Sequence, residues 1–318
     1  MPPSPPSPLG PGAPVFAFDI GGTDIKCALV DGDGCLLGVR RVATATSHDA
    51  SADAVLNQVT QLAADLTHDF PDVTPLAVGL ISPGIIDDEM GLVRRAVNLN
   101  WTMVPFRRRA TELLHMPASF THDARAAGAA EFALGAARGF TDVVVIVIGT
   151  GLSCSLFLGG RPHTAGGLAG ELGHSIVDPT GLPCACGSRG CLETVASAGA
   201  ISRRYASLTG TSPAGARAVI ARVEAGDAVA LRVWTDALDA LALTISQLAA
   251  VLAPEAIVIG GGLAQAGPAL FDPLRERVNS LLSFHRPPAI VPALLGESAG
   301  LLGAALNARS LLKALADD

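Results

Sequence analysis

Along the chain, short apolar runs alternate with stretches in which apolar residues recur every three or four positions. Residues 15–20 form an apolar run that ends in Asp19-Ile20-Gly21-Gly22-Thr23, the pattern of a strand entering a tight turn. Residues 27–30 and 35–40 flank Asp31-Gly32-Asp33-Gly34, which predicts a hairpin. Within 52–67, Val55, Leu56, Val59, Leu62 and Leu66 keep one helical face apolar. Residues 76–81 read as a further strand, stopped by Ser82-Pro83-Gly84. Strand, hairpin, helix and strand in that order predict one half of an α/β protein.

A second opening follows. Residues 123–134 read as a helix, and 142–148 are a nearly continuous β-branched run, the pattern of a buried central strand. That strand ends in Gly149-Thr150-Gly151, with 152–158 as its hairpin partner. Residues 227–252 are helical by composition, 256–259 form a short strand leading into Gly260-Gly261-Gly262, and 298–316 make a closing helix. The repeated strand, turn and strand predict two related lobes facing a shared cleft. The polar, glycine-rich stretch 159–193 is too long for a simple connector, and segments of that length usually carry function.

Composition narrows the classes. A chain of 318 residues, 49% of them hydrophobic, is long enough for about two domains with their own cores. A net charge of −7 offers no basic footprint for nucleic acid or an anionic membrane. Phosphates would have to be held by backbone N–H groups, helix N-termini or a metal ion. Only Lys26 and Lys313 are lysines among the 22 basic side chains, a bias read as genomic rather than chemical. Residues 1–14 are rich in Pro, Ser and Gly and lack the charged and apolar regions of an export signal. They are read as a disordered tail, and the protein as cytoplasmic. The apolar stretch 237–253 contains Asp239 and Gln247, and reads as a buried helix rather than a membrane span.

Four groups of residues carry candidate chemistry. In the first turn, Gly21 and Gly22 would let backbone approach a phosphate, Thr23 adds a hydroxyl, and Asp19 at the strand end suits a magnesium ion; an ordinary hairpin turn fits the same residues. Gly149-Thr150-Gly151 repeats that arrangement, and Gly260-Gly261-Gly262 offers bare backbone to an adenosine. No Walker lysine follows, and the dinucleotide fingerprint is incomplete. His174, Cys184, Cys186 and Cys191 give one imidazole and three thiolates, a set suited to a structural zinc with no open position. Glu171 and Glu193 flank that set as anchored acceptors for sugar hydroxyls. Asp123, after His122, stands at a helix start, where it serves either as a cap or as a general base. Asn98-Leu99-Asn100-Trp101 would offer amides and an aromatic face to a sugar, and a loop with one buried Trp fits the same residues equally well.

Together these motifs resemble the ROK family, named for repressors, open reading frames and kinases. The resemblance runs from about residue 15 to the last helix. It rests most heavily on Glu171-Leu-Gly-His174 followed by Cys184-Ala-Cys186-Gly-Ser-Arg-Gly-Cys191-Leu-Glu193. It implies an α/β, actin-like (ribonuclease H-like) two-lobe ATPase fold with a structural zinc site, in which MgATP and a sugar meet. The lobes expected are 15–121 plus 299–318, and 122–298. By the same resemblance Asp123 is the catalytic base, and Asn98, His122, Glu171, His174 and Glu193 contact sugar. The three glycine turns bind phosphate and adenosine. The implied reaction is phosphorylation of a hexose, glucose at its 6-OH first, with an N-acylhexosamine as the alternative. A non-catalytic sugar-sensing protein is a third reading, and a homodimer is expected. Three positions depart from the family pattern: His122 and Arg125 stand where asparagines are usual, and Ser153 and Cys154 follow Gly151 where glycines are usual.

Overall fold

A computed structural model of the chain describes residues 9–45, 52–96 and 99–317. Asn98 therefore lies outside the described residues. The chain forms two compact units. Unit 1 comprises Met1–Leu134, Thr164–Leu168 and Glu297–Asp318, and unit 2 comprises Gly135–His163 and Ala169–Gly296.

Unit 1 begins β1 (Val15–Ile20), β2 (Asp24–Val30), β3 (Leu36–Ala43), α1 (Ala52–Asp69), β4 (Ala77–Ser82). It continues β5 (Ile85–Asp87), β6 (Leu92–Ala96), β7 (Trp101–Val104), α2 (Phe106–Leu114), β8 (Ala118–His122) and α3 (Asp123–Leu134). Its main sheet has the order β3-β2-β1-β4-β8, with β5-β6-β7 as a separate small sheet. The strand β1 pairs antiparallel with β2 and parallel with β4, which pairs parallel with β8. The alternation along β1 sorts its two faces. Phe16, Phe18 and Ile20 enter a core with Val55, Leu56 and Val59 of α1. Trp101 stacks on Phe106 and Phe106 on Phe120, with ring centroids 5.0 and 4.8 Å apart. Each such pair is worth about 0.5–1.5 kcal/mol beyond its buried area.

Unit 2 contains β9 (Val143–Ile148), β10 (Leu152–Leu158), β11 (Arg161–His163), α4 (Glu193–Ala196), α5 (Ala198–Thr209), α6 (Ala216–Glu224) and α7 (Ala228–Leu252). It closes with β12 (Ala256–Gly260), α8 (Pro268–Leu281) and β13 (Ala289–Pro292). The sheet order is β11-β10-β9-β12-β13, antiparallel to the left of β9 and parallel to its right. Order and sense match those of unit 1 strand for strand, so the two related lobes expected from the sequence are present. The helix α7 is capped by Asp227, whose Oδ1 accepts from the N–H groups of Val229 and Ala230. Its length and hydropathy would suit a membrane span, but Val233, Trp234, Leu238, Leu241 and Ile245 pack into the core of unit 2.

The chain returns to unit 1 as α9 (Ala299–Asp317). This helix packs on the second face of the sheet, where small residues let it close in. A Cβ at Gly79 would stand 1.9 Å from the Ala304 carbonyl oxygen, and one at Gly303 would stand 2.1 Å from that of Ala126. The Gly303 contact brings α3 against α9, so the units divide after Leu134 rather than at the expected 121/122. A short segment, Thr164–Leu168, also returns to unit 1. Of the stretch read as a tail, residues 9–14 are placed. Leu9 is buried, and the Arg309 guanidinium donates to the carbonyls of Gly10, Ala13 and Asp31 at 2.7, 2.9 and 2.9 Å. The segment is thus tied to α9 by backbone carbonyls that a pattern of side chains does not reveal.

Candidate active site

In unit 1, β1, β4 and β8 run parallel, so their C-terminal ends lie on one edge, where ligands of α/β sheets gather. Asp19, Ser82 and His122 stand at those ends, with Ser82 and His122 paired in register. The turn after β1 is closed by the Gly21 N–H donating to the Asp24 carbonyl at 2.8 Å. A Cβ at Gly21 would stand 2.9 Å from that same oxygen, which is why glycine is needed there. The buried Thr44 braces the turn twice: its hydroxyl donates to the Gly21 carbonyl at 2.7 Å and its N–H to the Thr23 carbonyl at 2.8 Å. Thr23 itself is exposed.

Asp19 is an uncomfortable carboxylate. Burial first and the negative charge of Asp123 second push its carboxyl up to about 6, against the pull of Lys26 and Arg41. The N-terminal end of α9 leaves it little room, since a Cβ at Gly300 would stand 2.8 Å from Asp19 Oδ2. Asp123 opens α3 with its side chain 39% exposed. Its Oδ1 accepts from the Ala124 N–H at 2.6 Å and lies 3.2 Å from His122 Nδ1. His122 is buried, and its Nδ1 also lies 3.2 Å from the Ala124 nitrogen. Two aspartates at the edge of one sheet, one of them held above its ordinary range partly by the charge of the other, make a place that a cation would relieve.

In unit 2, the second and third glycine turns lie side by side, because β9 and β12 are parallel neighbours with Gly260 opposite Val147. Gly261 has φ 81°, and a Cβ there would stand 2.4 Å from the Ile148 carbonyl oxygen, so the third turn is pressed against the end of β9. Thr150 is exposed. The N-terminal turn of α5 abuts the second turn: Ala198 N–H donates to the Gly149 carbonyl at 2.9 Å. Its Ncap, Ser197, accepts from the Ala200 N–H at 3.0 Å. Bare backbone, an exposed threonine hydroxyl and a helix N-terminus are what an anionic phosphate takes. Ser153 and Cys154, the departures after Gly151, are residues of β10 rather than of the turn. Burial pushes the Cys154 thiol up to about 12, which fits an inert core residue.

The loop that carries the cysteines is folded by backbone. Cys184 N–H donates to the Ser188 carbonyl at 2.9 Å, Gly187 N–H to that of Cys184 at 3.0 Å, and Leu192 N–H to that of Ser175 at 2.8 Å. Gly190 has φ 71°, and a Cβ there would stand 1.5 Å from the Asp178 carbonyl oxygen. This path brings His174, Cys184, Cys186 and Cys191 together, with all four donor atoms within 4.8 Å of one another. Cys184 Sγ is 3.6 Å from His174 Nδ1, and Cys186 Sγ is 3.7 Å from Cys191 Sγ. Tetrahedral zinc with bonds of about 2.3 Å to sulfur and 2.0–2.1 Å to nitrogen spaces its ligands by about 3.5–3.8 Å. The donor set therefore fits zinc in both chemistry and spacing. Burial and the neighbouring thiols push Cys191 up to about 12, so a thiolate at that position needs a cation beside it.

Of the flanking carboxylates, Glu171 stands beside the cluster and Glu193 is bonded to the second glycine turn's strand. His174 turns Nδ1 to Cys184 and has Nε2 3.9 Å from Glu171 Oε2. Glu193 Oε2 accepts from the Leu152 N–H at 2.9 Å, and a Cβ at Gly151 would stand 2.6 Å from that oxygen. Unit 2 thus unites Glu171, His174, Glu193, the cysteines and two glycine turns, while unit 1 unites Asp19, the first turn, His122 and Asp123. Sequence reasoning overlooked Thr44, which carries no motif, and met Ser82 only as part of the turn that stops a strand. It noticed Arg125 without foreseeing that this arginine is buried and bonded to Ile86 and Asp88. A cavity of about 430 Å³ lined by Arg107, Arg108, Thr111, Glu112 and Leu311 shares none of these residues.

Two units of matching sheet order, each with glycine turns at the ends of its parallel strands, define an actin-like fold. The chain belongs to the ROK family, which residues 15–310 match. It is 34% identical over 308 residues to a glucokinase of Thermotoga maritima, covering 92% of this chain and 96% of that protein. It is 33% identical over 301 residues to an N-acetylmannosamine kinase of Escherichia fergusonii, covering 92% and 98%. Among solved structures, it resembles a ROK family glucokinase from Streptomyces griseus in complex with glucose and AMPPNP. That match has a TM-score of 0.79 at 30% identity and covers 94% of this chain and 100% of the other.

Proposed function

We propose that this protein is an ATP-dependent sugar kinase that phosphorylates glucose at its 6-hydroxyl. The observation that carries the reading is the Asp19–Asp123 pair, with Asp19 pushed up to about 6 by burial and by the charge of its neighbour. Asp123 would take the proton of the sugar hydroxyl as its oxygen attacks the γ-phosphorus and the bond to the β–γ bridging oxygen breaks. A positioned base of this kind contributes about 10²–10⁴-fold. Little other covalent work falls to the protein, because positioning and charge neutralisation dominate phosphoryl transfer.

The residues fit two metals in different roles. Asp19 would hold Mg²⁺, which supplies positive charge to the phosphates when bound. His174, Cys184, Cys186 and Cys191 would hold zinc as a structural brace with no open coordination position. The turns at Gly21-Gly22-Thr23 and Gly149-Thr150-Gly151 are assigned to phosphates, and Gly260-Gly261-Gly262 to adenosine. Glu171, His174 and Glu193 are assigned to sugar hydroxyls. Their support is that all three are held to one another through the loop that carries the cysteines, and a fixed acceptor costs little entropy on binding.

A second reading, an N-acylhexosamine kinase, is supported by the nearly equal identity to an N-acetylmannosamine kinase. A coupled assay with glucose, N-acetylmannosamine and N-acetylglucosamine, each with ATP or polyphosphate, separates the readings. The expected result is the highest kcat/KM for glucose with ATP. Preference for an acylated sugar would select the second reading. Sugar binding without turnover on any donor would make the protein a sensor rather than a kinase.

A further inference from the structure

Arg125 lies two residues after the assigned base, on α3, and its side chain is 91% buried. Its guanidinium serves three partners of unit 1. One terminal nitrogen donates to the Ile86 carbonyl at 2.9 Å and to Asp88 Oδ1 at 3.1 Å. The other donates to the Gly167 carbonyl at 3.4 Å. Its Nε stands 3.1 Å from Asp88 Oδ2 as an ion pair, without the alignment of a hydrogen bond. Arg107 holds the same turn from the other side through the carbonyls of Asp88 and Glu89, at 3.1 and 2.7 Å.

The partner that matters is Gly167. The segment Thr164–Leu168 leaves unit 2 after His163, joins unit 1 for five residues and returns at Ala169. It has almost nothing apolar to hold it there: Ala165, Gly166 and Leu168 are exposed, and only Gly167 is buried. Ala165 is strained at φ 46°, while Gly166 and Gly167, at 65° and 88°, use the freedom of glycine. Gly167 packs so tightly that a Cβ would stand 1.9 Å from the Ile86 carbonyl oxygen. Two carbonyls thus converge, and without a cation between them they would repel. Glu171 follows four residues after Gly167.

We propose that Arg125 is a positioning residue for the sugar: by fastening Gly167 to the helix that carries Asp123, it fixes the run of chain that presents Glu171. This rests on the sugar-contact role assigned to Glu171 above. An arginine suits the task because its planar fork reaches two carbonyls and a carboxylate at once, which the point charge of lysine does not.

The test uses zinc-loaded full-length protein and the variants Arg125→Gln and Arg125→Lys, with glucose and ATP as substrates. Hydrogen exchange comes first, because it needs no activity. In Arg125→Gln the amides of Gly167 and Leu168 are expected to exchange about tenfold faster or more, while those of Cys184 and Leu192 keep their rates. In kinetics, the KM for glucose is expected to rise about tenfold while the KM for ATP stays within about twofold, the mark of a lost sugar contact rather than general damage. Arg125→Lys should fall between wild type and Arg125→Gln in both measurements. If Arg125→Gln does not fold, Arg125→Lys is read alone, with about threefold effects expected. Unchanged exchange at Gly167 and Leu168 overturns the anchor. Faster exchange with an unchanged glucose KM, or with both KM values rising together, overturns the positioning role. A wild-type chain that phosphorylates no sugar refutes the kinase reading instead, and the exchange measurement still decides the anchor.

Discussion

Glu193 Oε2 accepts a hydrogen bond from the backbone N–H of Leu152 at 2.9 Å, which joins the end of the cysteine loop to the strand that leaves the second glycine turn. One carboxylate thereby couples two features that are some forty residues apart in the chain. The coupling explains Gly151: a Cβ there would press on the same oxygen at 2.6 Å. A metal held by that loop would then do more than brace it: it would fix a carboxylate and, through that carboxylate, the turn.

Removing the metal tests this. Elemental analysis of the purified protein should find about one zinc per chain, as a single four-ligand site requires. Cys186→Ser should lose that zinc and lower Tm by about 5–10 °C, which is 2–3 kcal/mol at roughly 3 °C per kcal/mol for a chain region of this size. The KM for sugar should rise with it, because Glu171 and Glu193 lose their brace. A metal-free chain with full stability and full activity would remove the cluster from the account.

Asp123→Asn isolates the base. The amide keeps the size of the side chain and an oxygen to accept from the Ala124 N–H, so the fold and sugar binding should persist. The kcat should fall by about 10²-fold or more, the cost of deleting a positioned base. Direct calorimetric titration with sugar checks the first half and steady-state kinetics the second. Near-normal turnover would leave Asp123 as a helix cap only.

Asp19 carries a prediction about pH. Its carboxyl ionises near 3.8 in an unfolded chain and near 6 in the fold. A raised value means that the fold prefers the protonated form, so ionisation of Asp19 opposes folding. The cost is nil below about 4, grows as the pH rises toward 6 and is complete above it. Asp19→Asn removes a cost on the order of 2–3 kcal/mol, by the linkage of about 1.4 kcal/mol per unit. Metal-free Asp19→Asn should therefore melt several degrees above wild type at pH 7.5, with the gain fading at pH 4–5, while its kinase activity collapses. Thermal melts at the two pH values check this. An Asn variant less stable than wild type at pH 7.5 would mean that Asp19 is well satisfied without a cation.

Much of this was legible in the sequence, and the exceptions share a cause. The strand over 142–148 follows from its run of β-branched residues and 123–134 reads as a helix, and the structure places them at Val143–Ile148 and Asp123–Leu134. The cysteine cluster follows from spacing. The strands β5, β6 and β7 do not, because three to five residues each are too few for alternation to register. Arg125, Arg309 and Thr44 also escape pattern reading. Each acts by bonding backbone carbonyls far away in the chain, at Gly167, at Gly10 and at Gly21. A polar residue that satisfies distant backbone looks, in a sequence, like any surface residue.

His122 is where the sequence pointed toward substrate choice and the structure adds a local engagement of the ring. A histidine in place of an asparagine before the base invited the reading that its ring faces the sugar and selects among sugars. In the fold the ring is buried, and its Nδ1 is engaged locally, 3.2 Å from Asp123 Oδ1 and 3.2 Å from the Ala124 nitrogen. That nitrogen serves one neighbour at a time: protonated it donates to Asp123, and unprotonated it accepts from Ala124. In either state the nitrogen faces Asp123 and Ala124, and we propose that the ring orients Asp123. His122→Asn should then change kcat by about three- to tenfold, through a looser Asp123, and leave the ratio of kcat/KM for glucose and N-acetylmannosamine within about twofold. A tenfold shift in the sugar ratio, about 1.4 kcal/mol of discrimination, would instead place the other edge of the ring against the substrate.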